Sequence, residues 1–158
     1  MKRLLAYLFI VLGLGFIFNA NAEASNYKKL DLIKEEFSIF SDPRDKYIYL
    51  VDLAKTSKGL SVDEKIEINR IQGCTSQAWV IKQDENNQLF FKTDSDAMIV
   101  KGLLSLIERS FNGHTPSEII EIDGSKFLES VGLDRAISSQ RTNGFSNAIN
   151  KIQKEMLG

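Results

Sequence analysis

Apolar residues in the first part of the chain recur at the spacing of amphipathic helices. Four of them lie on one face among lysines and glutamates and predict a first helix: Leu30, Ile33, Phe37 and Phe40. Asp42 and Pro43 are typical of the N-cap and first position of a second helix, since a helix leaves its first N–H groups unpaired. The core-facing positions predicted for this second helix are Tyr47, Leu50, Val51 and Ala54, with Gly59 at its end.

The middle of the chain changes to an alternation of apolar and polar residues. Ile66 and Ile68 alternate with polar neighbours, and Trp79 and Ile81 repeat the pattern. A shorter apolar piece, residues 89–92, follows a turn-like sequence of acidic and asparagine residues. These three segments predict an antiparallel sheet of three strands.

A long apolar stretch over residues 97–111 predicts a mostly buried central helix. Lys101, Ser105 and Glu108 fall on one edge of that helix, and we expect this edge to be solvated. Residues 94–96 (DSD) lie just before the stretch, where a helix N-cap belongs, so a capping role is expected for them.

The last part of the chain again predicts helices. Residues 115–118 (TPSE) fit a capping box with proline at the first helical position, and two short helices are expected to follow, ending near Ser130. Residues 144–156 predict a final helix with four apolar residues on one face: Phe145, Ala148, Ile149 and Ile152. The predicted fold class is therefore α+β, a small antiparallel sheet covered by helices.

The composition restricts the possible chemistry of the protein more than it restricts the possible fold. The chain has 158 residues, 43% of them hydrophobic, a net charge of −1 and no cluster of Lys and Arg, which argues against a nucleic-acid-binding protein. Cys74 is the only cysteine, so an intramolecular disulfide, a CxxC redox pair and a four-thiolate cluster are excluded. His114 is the only histidine, and a zinc site would need carboxylate ligands in addition. Cofactor-free chemistry must centre on one thiol.

The first 22 residues have the three regions of a secretory signal. Lys2 and Arg3 form a basic start, residues 4–18 are apolar, and residues 20–22 (ANA) suit a signal peptidase. The alternatives are a membrane anchor through residues 4–18 and a start codon assigned upstream of the true one. The domain proper is expected over residues 27–158.

Cys74 lies at a turn between two predicted strands. Gly73 permits backbone dihedrals closed to other residues, and the flanking residues are small or polar. A nucleophilic thiol needs such a place, because it must reach a partner sulfur and exist partly as thiolate. The alternative is an inert, buried cysteine that behaves as a small hydrophobe.

Four blocks of the chain form an ordered set of motifs. The first is residues 69–79 (NRIQGCTSQAW) around the cysteine, and the second is residues 94–103 (DSDAMIVKGL). The third and fourth are residues 114–116 (HTP) and 140–145 (QRTNGF). In their order and spacing these blocks resemble the SufE family, the sulfur acceptors that work with cysteine desulfurases in iron–sulfur cluster assembly. The resemblance covers roughly residues 27–158.

The resemblance implies a role for each part of the site. Cys74 matches the cysteine that accepts sulfane sulfur as a persulfide, on a loop at one end of the sheet. The implied fold is the α+β fold of the SufE family and of the IscU-like scaffold proteins of cluster assembly. The implied partners are a SufS-like desulfurase, which carries the pyridoxal phosphate, and a downstream cluster scaffold. Asp96 and Arg141 match polar positions near the cysteine loop.

The residues leave other interpretations open. Arg141 would stabilise the Cys74 thiolate if the fold brings them together, or it forms a surface ion pair or cap contact instead. A hydrolase or transferase using Cys74 as nucleophile would need His114 as its base, although His114 is expected in a solvated loop. Trp79 is expected in the core.

Two signals in the sequence disagree about the cellular compartment of the protein. A persulfide-forming thiol favours the cytosol, whereas residues 1–22 favour export to the periplasm. We expect a cytosolic protein, with the N-terminal extension absent or acting as a membrane tether. The alternative is an exported binding domain whose thiol is incidental.

Overall fold

A two-stranded hairpin lies among helices in the computed structural model, which describes residues 29–157. The first helix, α1, covers residues 29–38. The other elements follow in chain order: α2 Pro43–Thr56, β1 Ala78–Glu85, β2 Gln88–Ser95, α3 Met98–Phe111, α4 Pro116–Ile119, α5 Gly124–Ser130 and α6 Ser139–Leu157. The α+β class is therefore confirmed. Within residues 29–157, every helix is too short or too polar to cross a membrane. The signal-like residues 1–22 lie outside the described part.

The hairpin is regular and closes with a two-residue turn. Its register runs from Ala78 opposite Ser95 to Glu85 opposite Gln88. Asn86 and Asn87 form the turn with φ of 54° and 63°, a left-handed conformation that asparagine tolerates better than most residues. The predicted strands around Trp79 and Leu89 are thus confirmed, with the turn two residues shorter than the turn-like sequence suggested.

The third predicted strand is wrong. Ile66 and Ile68 lie in a segment with two short 3-10 turns, Val62–Glu64 and Glu67–Asn69, and their side chains are 50% and 77% exposed. Ser61 and Glu64 form a capping box that starts the first of these turns. The alternation of apolar and polar residues therefore came from turns on the surface, where no face of a sheet is buried. Arg70 alone pairs with the hairpin in this segment, opposite Trp79.

Helix α3 forms the centre of the core. Nine of its residues are buried, and it packs against α2, β2 and α6. Gly102 permits the approach of α2, because a Cβ at this position would lie 2.0 Å from the carbonyl oxygen of Leu50. Leu50 and Ala54 are buried as predicted, and Asp42 caps α2 by accepting a hydrogen bond from the Arg44 N–H at 2.8 Å.

The C-terminal elements match the predicted pattern closely. Thr115 and Glu118 form the capping box of α4, and the next helix ends at Ser130. Helix α6 begins at Ser139, five residues before the predicted start at residue 144. Its buried face contains all four predicted apolar residues: Phe145, Ala148, Ile149 and Ile152. The first turn of α6 thereby comes beside the loop that contains the cysteine.

Candidate functional site

Cys74 lies in a loop of residues 72–77 at the open end of the hairpin. The two ends of the loop are joined by a hydrogen bond from the Ile71 N–H to the Ala78 carbonyl, at 2.8 Å. Gly73 has φ of +79°, so the loop turns at a residue for which this conformation costs little. The cysteine is thus held on a short loop with fixed ends.

The thiol faces a pocket of about 150 Å³ between its own loop, α3 and the start of α6. Val100, Leu103 and Leu104 provide the apolar side of the pocket, and Arg141 contributes its charged side chain. Cys74 is half-buried, and its Sγ–H donates a weak hydrogen bond to the Gly144 carbonyl at 3.6 Å. Burial raises the pKa of the thiol above its usual 9.0, because the thiolate loses hydration there.

Gly144 belongs to the site, although glycine has no functional group that would mark it as a site residue in the sequence. A Cβ at Gly144 would lie 2.9 Å from Cys74 Sγ, so only glycine leaves room for the thiol in its observed position. Sequence reasoning placed Gly144 at the start of a helix, where glycine is unremarkable. The signal that could have identified it is a glycine inside a helix, which is unfavourable unless close packing requires it.

Arg141 lines the same pocket as Cys74. Its guanidinium carbon lies 5.7 Å from the ring centroid of Tyr47, a cation–π distance. The first turn of α6 therefore brings the arginine to the thiol pocket, as the resemblance implied. Its effect on the thiolate remains a prediction.

Asp96 lies beside the loop on its other side. Its backbone N–H donates to the Gln77 carbonyl at 3.1 Å, and its side chain is exposed. The expected capping role is wrong for this carboxylate, because α3 has Ala97 at its N-cap and no side-chain cap bond. Ser95 supports the junction instead. Its hydroxyl donates to the Gln77 carbonyl at 2.7 Å and accepts from the Ala97 N–H at 3.2 Å.

Asp94 forms a buried ionic centre next to this junction. Its carboxylate lies 2.8 Å from Lys65 Nζ and 3.2 Å from Lys101 Nζ, and it accepts the Leu60 N–H at 3.1 Å. Desolvation alone would raise the pKa of Asp94, but these donors and cations outweigh it and lower the pKa from 3.8 to about 2. Asp94 therefore ties the segment before the cysteine loop to the start of α3.

The edge of α3 that was expected to be solvated is largely buried. Lys101 is 18% exposed in its side chain, and Ser105 is buried. Glu108 accepts hydrogen bonds from the Thr93 N–H and hydroxyl, and burial raises its pKa. The prediction failed because the polar groups of β2 and of Asp94 satisfy this edge inside the protein.

His114 is also misplaced by the sequence prediction. It is buried rather than solvated, and its carbonyl accepts the Leu89 N–H at 2.8 Å. Burial, helped by the nearby charge of Lys29, lowers the pKa of the imidazole. Leu89 pairs next to the turn of the hairpin, roughly 20 Å along the strands from the end that contains Cys74. His114 is therefore not positioned as a base for Cys74. Trp79 is buried as predicted.

The site consequently contains one thiol, one arginine and neutral surroundings. Across residues 29–157, His, Cys, Asp and Glu side chains form no group of three or more that could hold a metal ion. The fold and the site define an α+β domain that presents a single cysteine on a short loop.

The chain belongs to the SufE family. The model of that family, described as the Fe-S metabolism associated domain, matches residues 31–156. An uncharacterized SufE-like protein of Synechocystis is 34% identical over 136 residues, which cover 86% of this chain and 85% of the relative. An uncharacterized SufE-like protein of Rhizobium etli is 33% identical over 80% of this chain and 88% of the relative. The protein therefore has a role in iron–sulfur metabolism.

Two further comparisons bear on architecture and fold. A chloroplastic/mitochondrial SufE-like protein 1 of Arabidopsis thaliana is 32% identical over 82% of this chain, but over only 35% of its own length. A solution structure of a hypothetical protein from Thermus thermophilus superposes with a TM-score of 0.68 at 19% identity. It matches 82% of this chain and 93% of that chain, which confirms the fold.

Proposed function

We propose that Cys74 accepts sulfane sulfur as a persulfide from a cysteine desulfurase and passes it on to iron–sulfur cluster assembly. The single observation that carries this proposal is the placement of the only cysteine. It lies on a short loop at the open end of the hairpin, facing a pocket that it shares with Arg141. Membership of the SufE family supports a sulfur-transfer partner protein over an enzyme with its own active site.

The proposed step is a thiol exchange. The Cys74 thiolate attacks the outer sulfur of a persulfide on the donor protein, and a new S–S bond forms on Cys74. The bond between the two donor sulfurs breaks, the donor leaves as a thiolate, and the proton of Cys74 goes to solvent or to that thiolate. No external oxidant or reductant is consumed. One cysteine is sufficient for this role, whereas a cluster scaffold uses several ligands.

Arg141 and Asp96 have supporting roles in the proposal. Arg141 offers a positive charge at the thiol pocket, where it would favour the thiolate once the donor has displaced water. Asp96 is exposed beside the loop and would lie at the edge of the docking surface. Pyridoxal phosphate belongs to the donor desulfurase, and the accepting chain needs no cofactor of its own. This chemistry favours the cytosol as the compartment of the working protein.

The test is sulfur transfer to the full chain from a cysteine desulfurase supplied with cysteine. We expect intact-mass measurement to show one added sulfur atom, which reductant removes and which maps to Cys74. The desulfurase should release sulfide faster when the protein is present. Cys74→Ser should retain the fold, since the replacement is small, and should lose both effects.

Two outcomes would contradict the proposal. One is a serine variant that stimulates sulfide release as well as the parent does. The other is a folded parent that gains no sulfur and does not stimulate the desulfurase. Either outcome would favour the alternative of a binding domain whose thiol is incidental.

A further inference from the structure

The aromatic ring of Tyr47 lies within cation–π distance of Arg141, beside the thiol pocket. The guanidinium carbon is 5.7 Å from the ring centroid, and both residues are half-buried. A guanidinium over an aromatic ring is attracted by the negative charge of the ring face. Among the described residues, those that line the pocket include Arg141 but not Tyr47, so the ring can affect Cys74 only through the arginine.

The ring is the contact that restricts the position of the Arg141 charge. Arg141 lies in the first turn of α6, where a positive charge opposes the helix dipole. Within residues 29–157, its guanidinium forms no ion pair with a carboxylate. A long arginine side chain has many rotamers unless a contact selects one of them. Loss of the ring should therefore let the charge leave the pocket.

The fold holds the Tyr47 ring firmly in place. Tyr47 packs against the core on α2, one turn before Leu50, which is fully buried. The neighbouring Lys46 ties α2 to the C-terminal end of α5, since its Nζ donates to the Val131 carbonyl at 3.0 Å. The ring thus offers Arg141 a fixed surface on a helix that is distant in sequence from the thiol loop.

We propose that Tyr47 is a positioning residue for the thiol pocket, where its ring holds the charge of Arg141. The consequence for sulfur transfer rests on the function proposed above. In that transfer one negative charge passes from the Cys74 thiolate to the donor sulfur that leaves. A cation that is already held near these sulfurs stabilises the charge as it moves, without rearrangement at the time of reaction.

The test compares two alkylation rates of Cys74 in the full chain at low ionic strength, one with anionic iodoacetate and one with neutral iodoacetamide. Both reagents consume the thiolate, so a change in the pKa of the thiol cancels in the ratio of the rates. The ratio therefore reports the positive charge at the pocket. Tyr47→Leu should lower the ratio about two- to fivefold, the range for one partly exposed charge pair.

Further variants separate positioning from a general effect on the fold. Tyr47→Phe keeps the ring and should match the parent. Tyr49→Leu is the control, because it removes a ring of the same helix that packs on Phe37 and Phe40 instead, and it should leave the ratio unchanged. In an Arg141→Ala background, Tyr47→Leu should have no further effect, because the charge that it positions is absent.

The ratio requires no sulfur donor, so it tests the positioning independently of the proposed function. A ratio that Tyr47→Leu leaves unchanged, or lowers equally with and without Arg141, would overturn the proposal. An equal fall in Tyr47→Phe and Tyr47→Leu would also overturn it, because the ring would not be the cause. If the parent gains no sulfur on Cys74 while the ratio falls as expected, the proposed function fails and the positioning stands.

Discussion

Cys74 and Asp94 lie near the same end of the hairpin, and burial acts on both. The pKa of Cys74 is nevertheless raised, whereas the pKa of Asp94 is lowered. Burial raises the pKa of the Cys74 thiol, where the neighbour of the sulfur is a carbonyl group. The same desolvation at Asp94 is outweighed by two lysines and two backbone N–H groups, which lower its pKa to about 2. The charged form is penalised at one site and stabilised at the other.

The difference separates a structural group from a reactive one. Asp94 is ionised and satisfied in the free protein, so it holds the chain segments around the cysteine loop in place. Burial disfavours the thiolate of Cys74 in the free protein. Under the function proposed above, docking of the sulfur donor would then have to favour the thiolate.

The largest effect is expected from removing the charge of Asp94. Asp94→Asn leaves Lys65 and Lys101 close together without a counter-ion, which should lower the free energy of unfolding by about 3 kcal/mol. Denaturant unfolding measures the loss. Asp96→Asn is the matched control, because its side chain is exposed, and it should change stability by less than about 0.5 kcal/mol. Equal effects of the two variants would show that the ionic centre does not stabilise the fold.

Acid should remove the same contribution in the unaltered protein. The pKa of Asp94 is about 2 in the fold and 3.8 in the unfolded chain, a difference that corresponds to about 2 kcal/mol. Because the folded pKa is the lower one, this stability is fully present above about pH 4 and is lost as the pH falls towards 2. Asp94→Asn should lack this part of the acid dependence. A parallel decline of both proteins between these pH values would contradict the assignment.

The position of the cysteine site could be predicted from the sequence better than the contacts of Asp94. Cys74 is the only thiol, its loop is marked by Gly73, and the later block with Arg141 folds against it, so composition and motif sufficed to predict where these residues lie. Asp94 looked like part of a helix cap, and only the fold shows that Lys65 arrives from a distant segment. Long-range ion pairs leave no periodic signal in the sequence.

The strand prediction shows a similar limit. Alternation over residues 66–68 resembles a strand locally, but a strand needs a partner edge, and only Arg70 meets one. The helices were predicted more reliably, because their caps and apolar faces are local properties of the chain. The prediction of a solvated edge on α3 was wrong because the groups that satisfy this edge lie outside the helix. They are Thr93 and Asp94 of β2.

A smaller effect is expected from Gly144, which keeps Cys74 in place. Alanine usually stabilises a helix interior relative to glycine by about 1 kcal/mol, but a Cβ here would lie 2.9 Å from Sγ. Gly144→Ala should therefore give no net gain in stability, and it should move the thiol and raise its alkylation rate. In a Cys74→Ala background the same change should recover the gain of about 1 kcal/mol.

The difference between the two backgrounds measures the coupling between Gly144 and the thiol. Unfolding free energies of the parent, both single variants and the double variant give it directly. If Gly144→Ala changes stability equally in the presence and absence of the cysteine sulfur, the two residues are not in contact. An unchanged alkylation rate would likewise show that Gly144 does not position the thiol.

The smallest effect on stability, combined with a clear effect on function, is expected at Arg141. Its contact with the Tyr47 ring is a partly exposed cation–π interaction, so Arg141→Ala should change the free energy of unfolding by at most about 1 kcal/mol. Sulfur transfer to Cys74 should fall by a larger factor, because the arginine provides the positive charge at the thiol pocket. Arg135→Ala is the control, since that side chain is 89% exposed and outside the pocket. Initial rates of persulfide formation on Cys74, measured for both variants at equal desulfurase concentration, decide the matter. If Arg141→Ala accepts sulfur as fast as Arg135→Ala does, the arginine has no part in transfer, and activation of the thiol must come entirely from the donor protein.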